Sequence, residues 1–536
     1  MSRGDSVSQP RFRILVTDTL ADSGLDLLRR QSDVVLDYRP GLAGPELHRE
    51  IAAADAIVTR SGTAVTDELL SHATQLRVVG RAGVGLDNVD VEAATRRGIL
   101  VINAPTANIL SATEHTMAMM LALCRNVPAA DASVRLGEWK RAKFMGTELS
   151  GKTLGIIGLG RIGSRVAERA RSFGMRIIAY DPYIATFAFE RAGAEEVTFD
   201  TLLSESDFVT VHTPLTEETR GMIRAAEIGK MKPGVMFVNC ARGGIYDEND
   251  LAAALHEGQV AGAAVDVYVE EPPTADHPLL NAPNLVLTPH IGANTWEAQD
   301  RVAVQTAEMV VEALRGSIFV SAVNLPFEGV AESGVRALIN LAEKVGSFAG
   351  QIIRGAVEEI ALELWGVEEK HASILAVGAV KGILDPVLSE SINYVNALAV
   401  AQQRGIQCST TVHETLVDYA HLVTLRVRSD AEEMRVSGTL FGEKNARIVD
   451  VNAFQVEFRP AGHLLYMVNH DVPGVVGKVG TILGDREINI AEYNLARASE
   501  KGVAMAIVTV DSPLDEGTLA FLRSFKEMRD VRQIRL

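Results

Sequence analysis

Short runs of apolar, β-branched residues recur at helix-length spacing from residue 13 to residue 290, and no other feature limits the possible fold as much. The first series is RILVTD (13–18), DVVLDY (33–38), DAIVTR (55–60), LRVVGRAG (76–83) and ILVIN (99–103), separated by helix-like stretches such as DSGLDLLRRQ and DELLSHATQ. Strands alternating with helices build a parallel α/β sheet, and ligands belong at the carboxyl ends of its strands. A second series follows: KTLGIIGLG, MRIIAYD, SDFVTVHTP, GVMFVNCA, VAGAAVDVY and NLVLTPH. Six strands match a dinucleotide-binding sheet. Between the two series, SATEHTMAMMLALCRNVPAADASVRLGEW reads as one long apolar helix joining two domains. The helical run TWEAQDRVAVQTAEMVVEALRG (295–316) has a natural use in returning the chain to the first domain, making that domain discontinuous.

Beyond VNLPF (323–327), a boundary marked by its proline, residues 328–459 read as a mixed α/β region that begins with helices and ends in alternating runs such as HLVTLRVRS and VSGTLFG. No catalytic motif is visible there. The last stretch runs strand, helix, strand, strand, helix, strand, a ferredoxin-like module. A chain of 536 residues holds roughly three to five domains, and four units fit. The expected fold is α/β: a Rossmann domain (107–294) inserted in a flavodoxin-like substrate domain (1–106 and 295–326), then an α+β intervening domain (327–459) and a ferredoxin-like regulatory domain (460–536).

A net charge of −17 excludes a non-specific phosphate-backbone binder, so no nucleic-acid partner is expected. MSRGDSVSQPRFR lacks the apolar core of a signal peptide, and no apolar run reaches the ~20 residues that span a bilayer. Cys124, Cys240 and Cys408 show neither metal-ligand spacing nor a disulfide framework. The expectation is a cytoplasmic chain with no metal and no membrane partner.

GLGRIG places Gly158, Gly160 and Gly163 between the strand LGII and a helix. The first glycine permits a tight turn, the second lets the backbone approach a pyrophosphate, and the third lets helix and strand pack closely. The helix N-terminus adds free N–H groups for the phosphates, and Arg161 can grip them. The next strand ends at Asp181, 23 residues after Gly158, where an acid binds the adenosine ribose and disfavours the extra phosphate of NADP. NAD is the expected cofactor.

Three later strand ends carry Arg242 (NCARGG), Glu271 (VDVYVEEP) and His290 (TPHIGA). Oxidising a 2-hydroxy acid needs a base for the hydroxyl proton, a cation for the carboxylate and an acceptor for the hydride. Histidine titrates near neutral pH, a neighbouring carboxylate fixes its tautomer, and arginine grips a carboxylate at two points.

On these motifs, with VGRAGVGLDNVD, GEWKRAKFMGTELSGKTLG and RIVDVNAFQVEFRPAGHLL, nearly the whole chain resembles the D-isomer-specific 2-hydroxyacid dehydrogenases, and among them the long, four-domain phosphoglycerate branch. The resemblance implies oxidation of 3-phospho-D-glycerate with NAD, His290 as proton acceptor or donor, Glu271 as its partner and Arg242 as carboxylate anchor. It implies cofactor contacts at Val84, Arg161, Ile162, Asp181, Thr213, Cys240, Ala241, Arg242 and Asp266 and along His290, Ile291, Gly292 and Ala293, with Asp266 meeting the nicotinamide amide. Val84 stands where some relatives have Thr, so its contact is expected through the backbone. For the substrate, N–H groups around Gly83 and Val84 cradle the carboxylate with Arg242. Arg60 and Ser61 in VTRSG and Arg141 and Lys143 in WKRAKF are candidates for the phosphate, and Asn108 for a further hydrogen bond. A non-phosphorylated acid, as in glyoxylate/hydroxypyruvate or D-lactate reductases, would not need those cations. Corepressor-like NAD sensors share the dehydrogenase fold but have no use for a regulatory ending.

That ending, His463 to Leu536, resembles an ACT domain. Its turn Pro473–Gly474 leads into a helix start suited to an amino-acid carboxylate, with Asp471 for the ammonium and Asn489 bridging ligand and neighbouring subunit. The resemblance implies L-serine as ligand and a homotetramer; Asn469 occupies a position that varies among relatives.

Overall fold

A computed structural model describes residues 12–316, 322–325, 333–388, 391–415, 418–442, 444–452, 454–497 and 502–536. The opening segment up to Arg11 and the boundary expected at 326–327 lie outside the described residues.

β1 (Phe12–Val16), β2 (Val34–Tyr38), β3 (Ala56–Thr59), β4 (Val78–Arg81) and β5 (Leu100–Asn103) form a parallel sheet in the order β2-β1-β3-β4-β5. This is the flavodoxin-like order. Thr59, Arg81 and Asn103 are in register, so the loops that follow them emerge side by side at the carboxyl edge. One face is closed by the helix Trp296–Leu314, whose Val302, Ala303, Val310 and Leu314 are buried with Ile14, Val58 and Val78. Two glycines permit that approach: a Cβ on Gly24 would lie 2.7 Å from Ala303 and one on Gly80 2.6 Å from Val310. Thr295 caps the helix by accepting from the Ala298 N–H at 3.2 Å, a contact of about 1 kcal/mol.

The second series supplies β6 (Thr153–Ile157), β7 (Arg176–Tyr180), β8 (Glu195–Glu196), β9 (Phe208–Val211), β10 (Val235–Asn239), β11 (Val260–Val265) and β12 (Leu285–Leu287), ordered β8-β7-β6-β9-β10-β11-β12. The sequence suggests six strands; the seventh is the two-residue β8, too short to leave an apolar run. The order reverses between β6 and β9, and that switch point opens a crevice at the strand ends. The expected single long helix is two, Ile109–Cys124 and Val127–Arg135. Asn126 between them takes the left-handed φ of 55°, and Pro128 has no N–H to continue a helix from the preceding turn.

The third unit corrects another expectation. After one helix, Ser333–Ile352, comes a strand, β13 (Val357–Trp365), joined by β14 (Gln407–His413), β15 (Leu422–Ser429), β16 (Glu433–Phe441), β17 (Asn445–Val451) and β18 (Phe454–Phe458) in the order β14-β13-β15-β16-β17-β18. Helices Ser333–Ile352 and Ala372–Leu384 approach backbone to backbone, because a Cβ on Gly346 would fall 2.2 Å from the Ala379 oxygen and one on Gly382 2.1 Å from that of Glu343. The fourth sheet, β19 (His463–His470), β20 (Ile490–Arg497), β21 (Val503–Val510) and β22 (Met528–Arg535), has the order β20-β21-β19-β22. Its own helices cover one face; Leu464, Tyr466, Met505, Ile507 and Ile534 join Phe348 and Phe458 in one core on the other. Among the described residues no helix is long and apolar enough to cross a membrane, and no group of three His, Cys, Asp or Glu side chains is disposed to hold a metal ion.

Candidate active site

The turn after β6 explains its three glycines separately. Gly158 has φ 88°, and a Cβ on Gly163 would lie 2.2 Å from the Gly158 oxygen, so only glycine closes the turn onto the helix Gly163–Ser172. A Cβ on Gly160 meets nothing within 4 Å. That free space at a helix N-terminus is what a dinucleotide's pyrophosphate needs. Asp181, just beyond β7, accepts from the Leu159 N–H at 2.9 Å and the Tyr183 N–H at 3.0 Å, which turns its carboxylate across the mouth of the loop. Arg161 is exposed and Ile162 half-buried at the helix start. The Thr213 hydroxyl is buried with no hydrogen-bond partner among the described residues, a donor left for a ligand. Burial and the nearby Asp266 push the Cys240 thiol up to about 12, so it lines the crevice as a neutral group. The Asn239 amide oxygen fixes Ala241 by accepting its N–H at 2.9 Å. These residues fit NAD.

His290 Nδ1 lies 2.7 Å from Glu271 Oε2. A carboxylate can only accept, so Nδ1 carries the proton and Nε2 keeps its lone pair. Glu271 in turn takes the Tyr268 N–H at 3.1 Å. Its loop is tied down by the buried pair His277–Glu248 at 2.9 Å, with Glu248 accepting from the Val269 N–H at 2.9 Å. The loop bearing Arg242 is packed against it: a Cβ on Gly243 would lie 2.0 Å from the Tyr268 carbonyl carbon.

Asp266 is fully buried and organises the turn His290–Ala293. It accepts from the Ile291 and Gly292 N–H groups at 2.8 Å each, and from Thr288 Oγ1 at 2.5 Å, with His115 Nε2 at 3.2 Å. Burial alone would raise its pKa, but His115, Thr288 and the Ile291 N–H together hold it below the usual carboxylate range. Three of these contacts fall on Oδ1 and only the Gly292 N–H on Oδ2, which keeps capacity for a further donor such as a nicotinamide amide.

Cations gather on the opposite loops. Arg242 donates from Nη1 to the Ala241 oxygen at 2.7 Å, has Asp87 3.7 Å from Nε, and would meet a Cβ on Gly85 at 2.7 Å. Arg81 was not singled out from the sequence. Its guanidinium lies on Gly83, 1.5 Å from where a Cβ would stand, and its Nε is buried without a partner. Burial, then Arg60 and Arg242, lower its pKa, the mark of three cations sharing one region. Val84 accepts from Asn103 Nδ2 at 2.6 Å, leaving its own N–H to the cleft loop. Asn108 has a buried amide oxygen with no partner among the described residues. Ser61 is exposed beside Arg60; Arg141 and Lys143 are exposed on the short helical turn Arg141–Phe144, apart from these groups in sequence and fold. Sequence reasoning also passed over Asp18, Asn88, His115, Glu248 and His277. The position of Arg81 at the end of β4 was the signal available for that residue.

In the last unit, Gly474 has φ 95° before the helix Val475–Asp485. Asp471 pairs with Arg497 at 3.1 Å, Asn489 donates to Asp511 at 2.9 Å, and the buried Asn469 donates to the His470 oxygen at 2.7 Å. Pro473 lies in the loop joining β19 to that helix.

Comparison with known proteins gives the same picture. Residues 117–292 match the D-isomer specific 2-hydroxyacid dehydrogenase NAD binding domain, and residues 334–452 the D-3-phosphoglycerate dehydrogenase intervening domain. The chain is 40% identical to a D-3-phosphoglycerate dehydrogenase of Bacillus subtilis, over 98% of this chain and 100% of that one. It is 42% identical to a D-3-phosphoglycerate dehydrogenase of Archaeoglobus fulgidus, over 94% and 96%. The D-lactate dehydrogenase of Aquifex aeolicus, solved with NAD and lactic acid, aligns with a TM-score of 0.51 at 29% identity over 57% of this chain and 96% of its own.

Proposed function

The chain belongs to the D-3-phosphoglycerate dehydrogenases, in the D-isomer-specific 2-hydroxyacid dehydrogenase family, and from that premise we propose how its residues divide the work. It is an NAD-dependent enzyme that oxidises 3-phospho-D-glycerate to 3-phosphooxypyruvate, the entry to L-serine synthesis. NAD, when bound, supplies the hydride acceptor. His290 Nε2 takes the substrate hydroxyl proton, and Glu271 at Nδ1 stabilises the imidazolium that results. In the reverse direction the imidazolium gives the proton back.

Arg242 and the Val84 N–H hold the carboxylate, joined by the Gly83 N–H once it releases the Arg81 carbonyl oxygen that it now meets at 2.9 Å; Arg60 and Arg81 hold the phosphate, with Ser61 and Asn108 adding hydrogen bonds. The observation that carries this division is the convergence of Arg81 and Arg242 on the Gly83–Gly85 loop, with Arg60 close enough to Arg81 to lower its pKa. An unphosphorylated acid has charge for one of these cations. Asp181 selects NAD, while Arg161, Ile162, Thr213, Cys240, Ala241 and the turn from His290 to Ala293 line its site. Asp266 acts there chiefly by holding that turn. The buried thiol of Cys124 and the free Cys240 and Cys408 suit a reducing, cytoplasmic setting.

Self-association belongs to the same reading. Leu136, Trp139 and Met145 are 80%, 80% and 83% exposed on the arm that carries Arg141 and Lys143, an apolar surface that a second subunit would bury. Those two cations then reach the phosphate of the partner's site. With the open edges of the fourth sheet, the assembly is a homotetramer, and L-serine binds between Pro473–Gly474, Asp471 and Asn489.

NADH formation by the full-length protein with 3-phosphoglycerate and with plain glycerate, each with and without L-serine, tests this. Turnover of the phosphorylated acid alone, inhibited by serine, is expected. Equal turnover of glycerate would overturn the phosphate assignment and make the chain a general hydroxyacid reductase; indifference to serine would remove the regulatory assignment.

A further inference from the structure

Beneath the Arg60 turn lies a carboxylate to which no role has yet been given. Asp18 follows β1 and accepts five hydrogen bonds from the segment that follows β3 and its last residue. The donors are the Arg60 N–H at 2.5 Å, the Gly62 and Thr63 N–H groups at 3.2 Å each, Thr63 Oγ1 at 2.9 Å and Thr59 Oγ1 at 3.0 Å. Burial would raise its pKa, but these donors outweigh it and keep the group ionised. Bonds to an ionised acceptor are roughly twice as strong as neutral ones. The fit leaves no slack, since a Cβ on Gly62 would stand 2.8 Å from Asp18 Oδ1.

The same turn is held from its other side. Asn88 Nδ2 donates to the Arg60 and Thr63 carbonyl oxygens at 2.6 Å each, and Asn88 belongs to the loop that carries Gly83 and Val84. Asp18 therefore takes the N–H groups of the turn and Asn88 its carbonyls. Both edges of the turn are fixed, and among the described residues the Arg60 side chain is left with one long hydrogen bond, Nη1 to the Thr19 oxygen at 3.4 Å. Its neighbour in the electrostatics of the cleft is Arg81.

We propose that Asp18 is the positioning residue that sets this enzyme's preference for a phosphorylated over an unphosphorylated acid, by clamping the turn that aims Arg60. An arginine on a free turn loses conformational freedom when it captures a phosphate; on a clamped turn that ordering is already complete. Asp18 touches no substrate, and its charge is saturated by backbone and hydroxyl donors rather than by the guanidinium. The proposal rests on the reading of Arg60 as a phosphate ligand, and the experiment separates the two.

The measurement is kcat/KM with NADH for 3-phosphooxypyruvate and for hydroxypyruvate, in the wild type, Arg60→Gln, Asp18→Asn and Thr63→Val. Arg60→Gln is expected to lower the ratio of the two values at least tenfold. Asp18→Asn, which replaces the anion with an amide, is expected to lower it about as much, chiefly through KM for the phosphorylated substrate, and Thr63→Val, which removes one donor, about threefold. Should Arg60→Gln lower the ratio while Asp18→Asn leaves it within twofold, the proposal fails and the phosphate reading stands. An unchanged ratio in Arg60→Gln overturns both. Equal losses for the two substrates in Asp18→Asn would mean a purely structural role and also overturn the proposal. If Asp18→Asn does not fold, Thr63→Val decides on the same ratio, an unchanged value counting against the clamp.

Discussion

His212 sits where β9 gives way to the loop facing Gly158, with Nε2 3.1 Å from Thr210 Oγ1. Burial of the ring lowers its pKa from 6.5 to about 4, so the folded protein holds it neutral. Between those two values the unfolded chain binds the extra proton; stability therefore rises with pH across the window and is lost as pH falls through it, by up to about 3 kcal/mol. Melting temperatures measured from pH 7.5 down to pH 4.5 should fall more steeply for the wild type than for His212→Gln, and parallel curves would refute the burial argument. The residues proposed to carry the chemistry differ in how far the sequence discloses them. His290, Glu271 and Arg242 were legible because each stands just beyond a β-branched run, where the topology puts active sites. Arg81 and Asp18 stand beyond such runs too, but their roles come from side chains folding back onto Gly83 and onto the Arg60 turn. The Asp18 contact joins segments 42 residues apart, and the Arg81 contact depends on how the chain turns at Gly83, so spacing along the chain carries no trace of either.

Among the elements, the turn between β6 and its helix separates two demands that one motif conceals. Gly163 is needed by the protein, since a methyl there meets a carbonyl oxygen at 2.2 Å. Gly160 is needed only by a ligand, since a methyl there meets no protein atom. Gly163→Ala should destabilise the fold by about 1–3 kcal/mol, the usual range for forced overpacking, and weaken NADH binding as a result. Gly160→Ala should leave the urea midpoint unchanged yet weaken NADH binding at least tenfold, read by nucleotide fluorescence; equal stability losses in the two variants would contradict the distinction. Apolar β-branched runs revealed eleven of the twelve strands described in the first 316 residues, all but β8, and the helix-length segments between them. They failed at Asn126, because a helix that stops and restarts around Pro128 keeps its apolar character throughout. They failed again at β13, where buried Ile360, Leu362 and Leu364 alternate with half-buried Ala361 and Glu363, a mixed pattern with no continuous apolar run.

At the level of the whole molecule, the ACT-like sheet and the intervening domain are not separable beads, for Leu464, Tyr466, Met505 and Ile507 lie in the core of Phe348 and Phe458. A chain ending after Arg459 should expose that face, bind a hydrophobic dye and aggregate. One ending after Leu325 should remain folded and retain NADH binding, because its two parallel sheets have cores of their own. If the longer truncation is as soluble as the shorter, the shared core contributes little. The helix Trp296–Leu314 has a consequence of another kind, for the order in which the molecule is made. The first sheet is laid down by residue 103, but the helix that seals it is not translated until about 190 residues later. At 5–20 residues per second that is roughly 10–40 s. Throughout this interval Val58, Val78 and Gly80 have only the first helix, Asp22–Arg29, beside them, while the nucleotide-binding unit is being made. The nascent chain thus finishes its middle before its beginning, and the early strands are the part most in need of a chaperone.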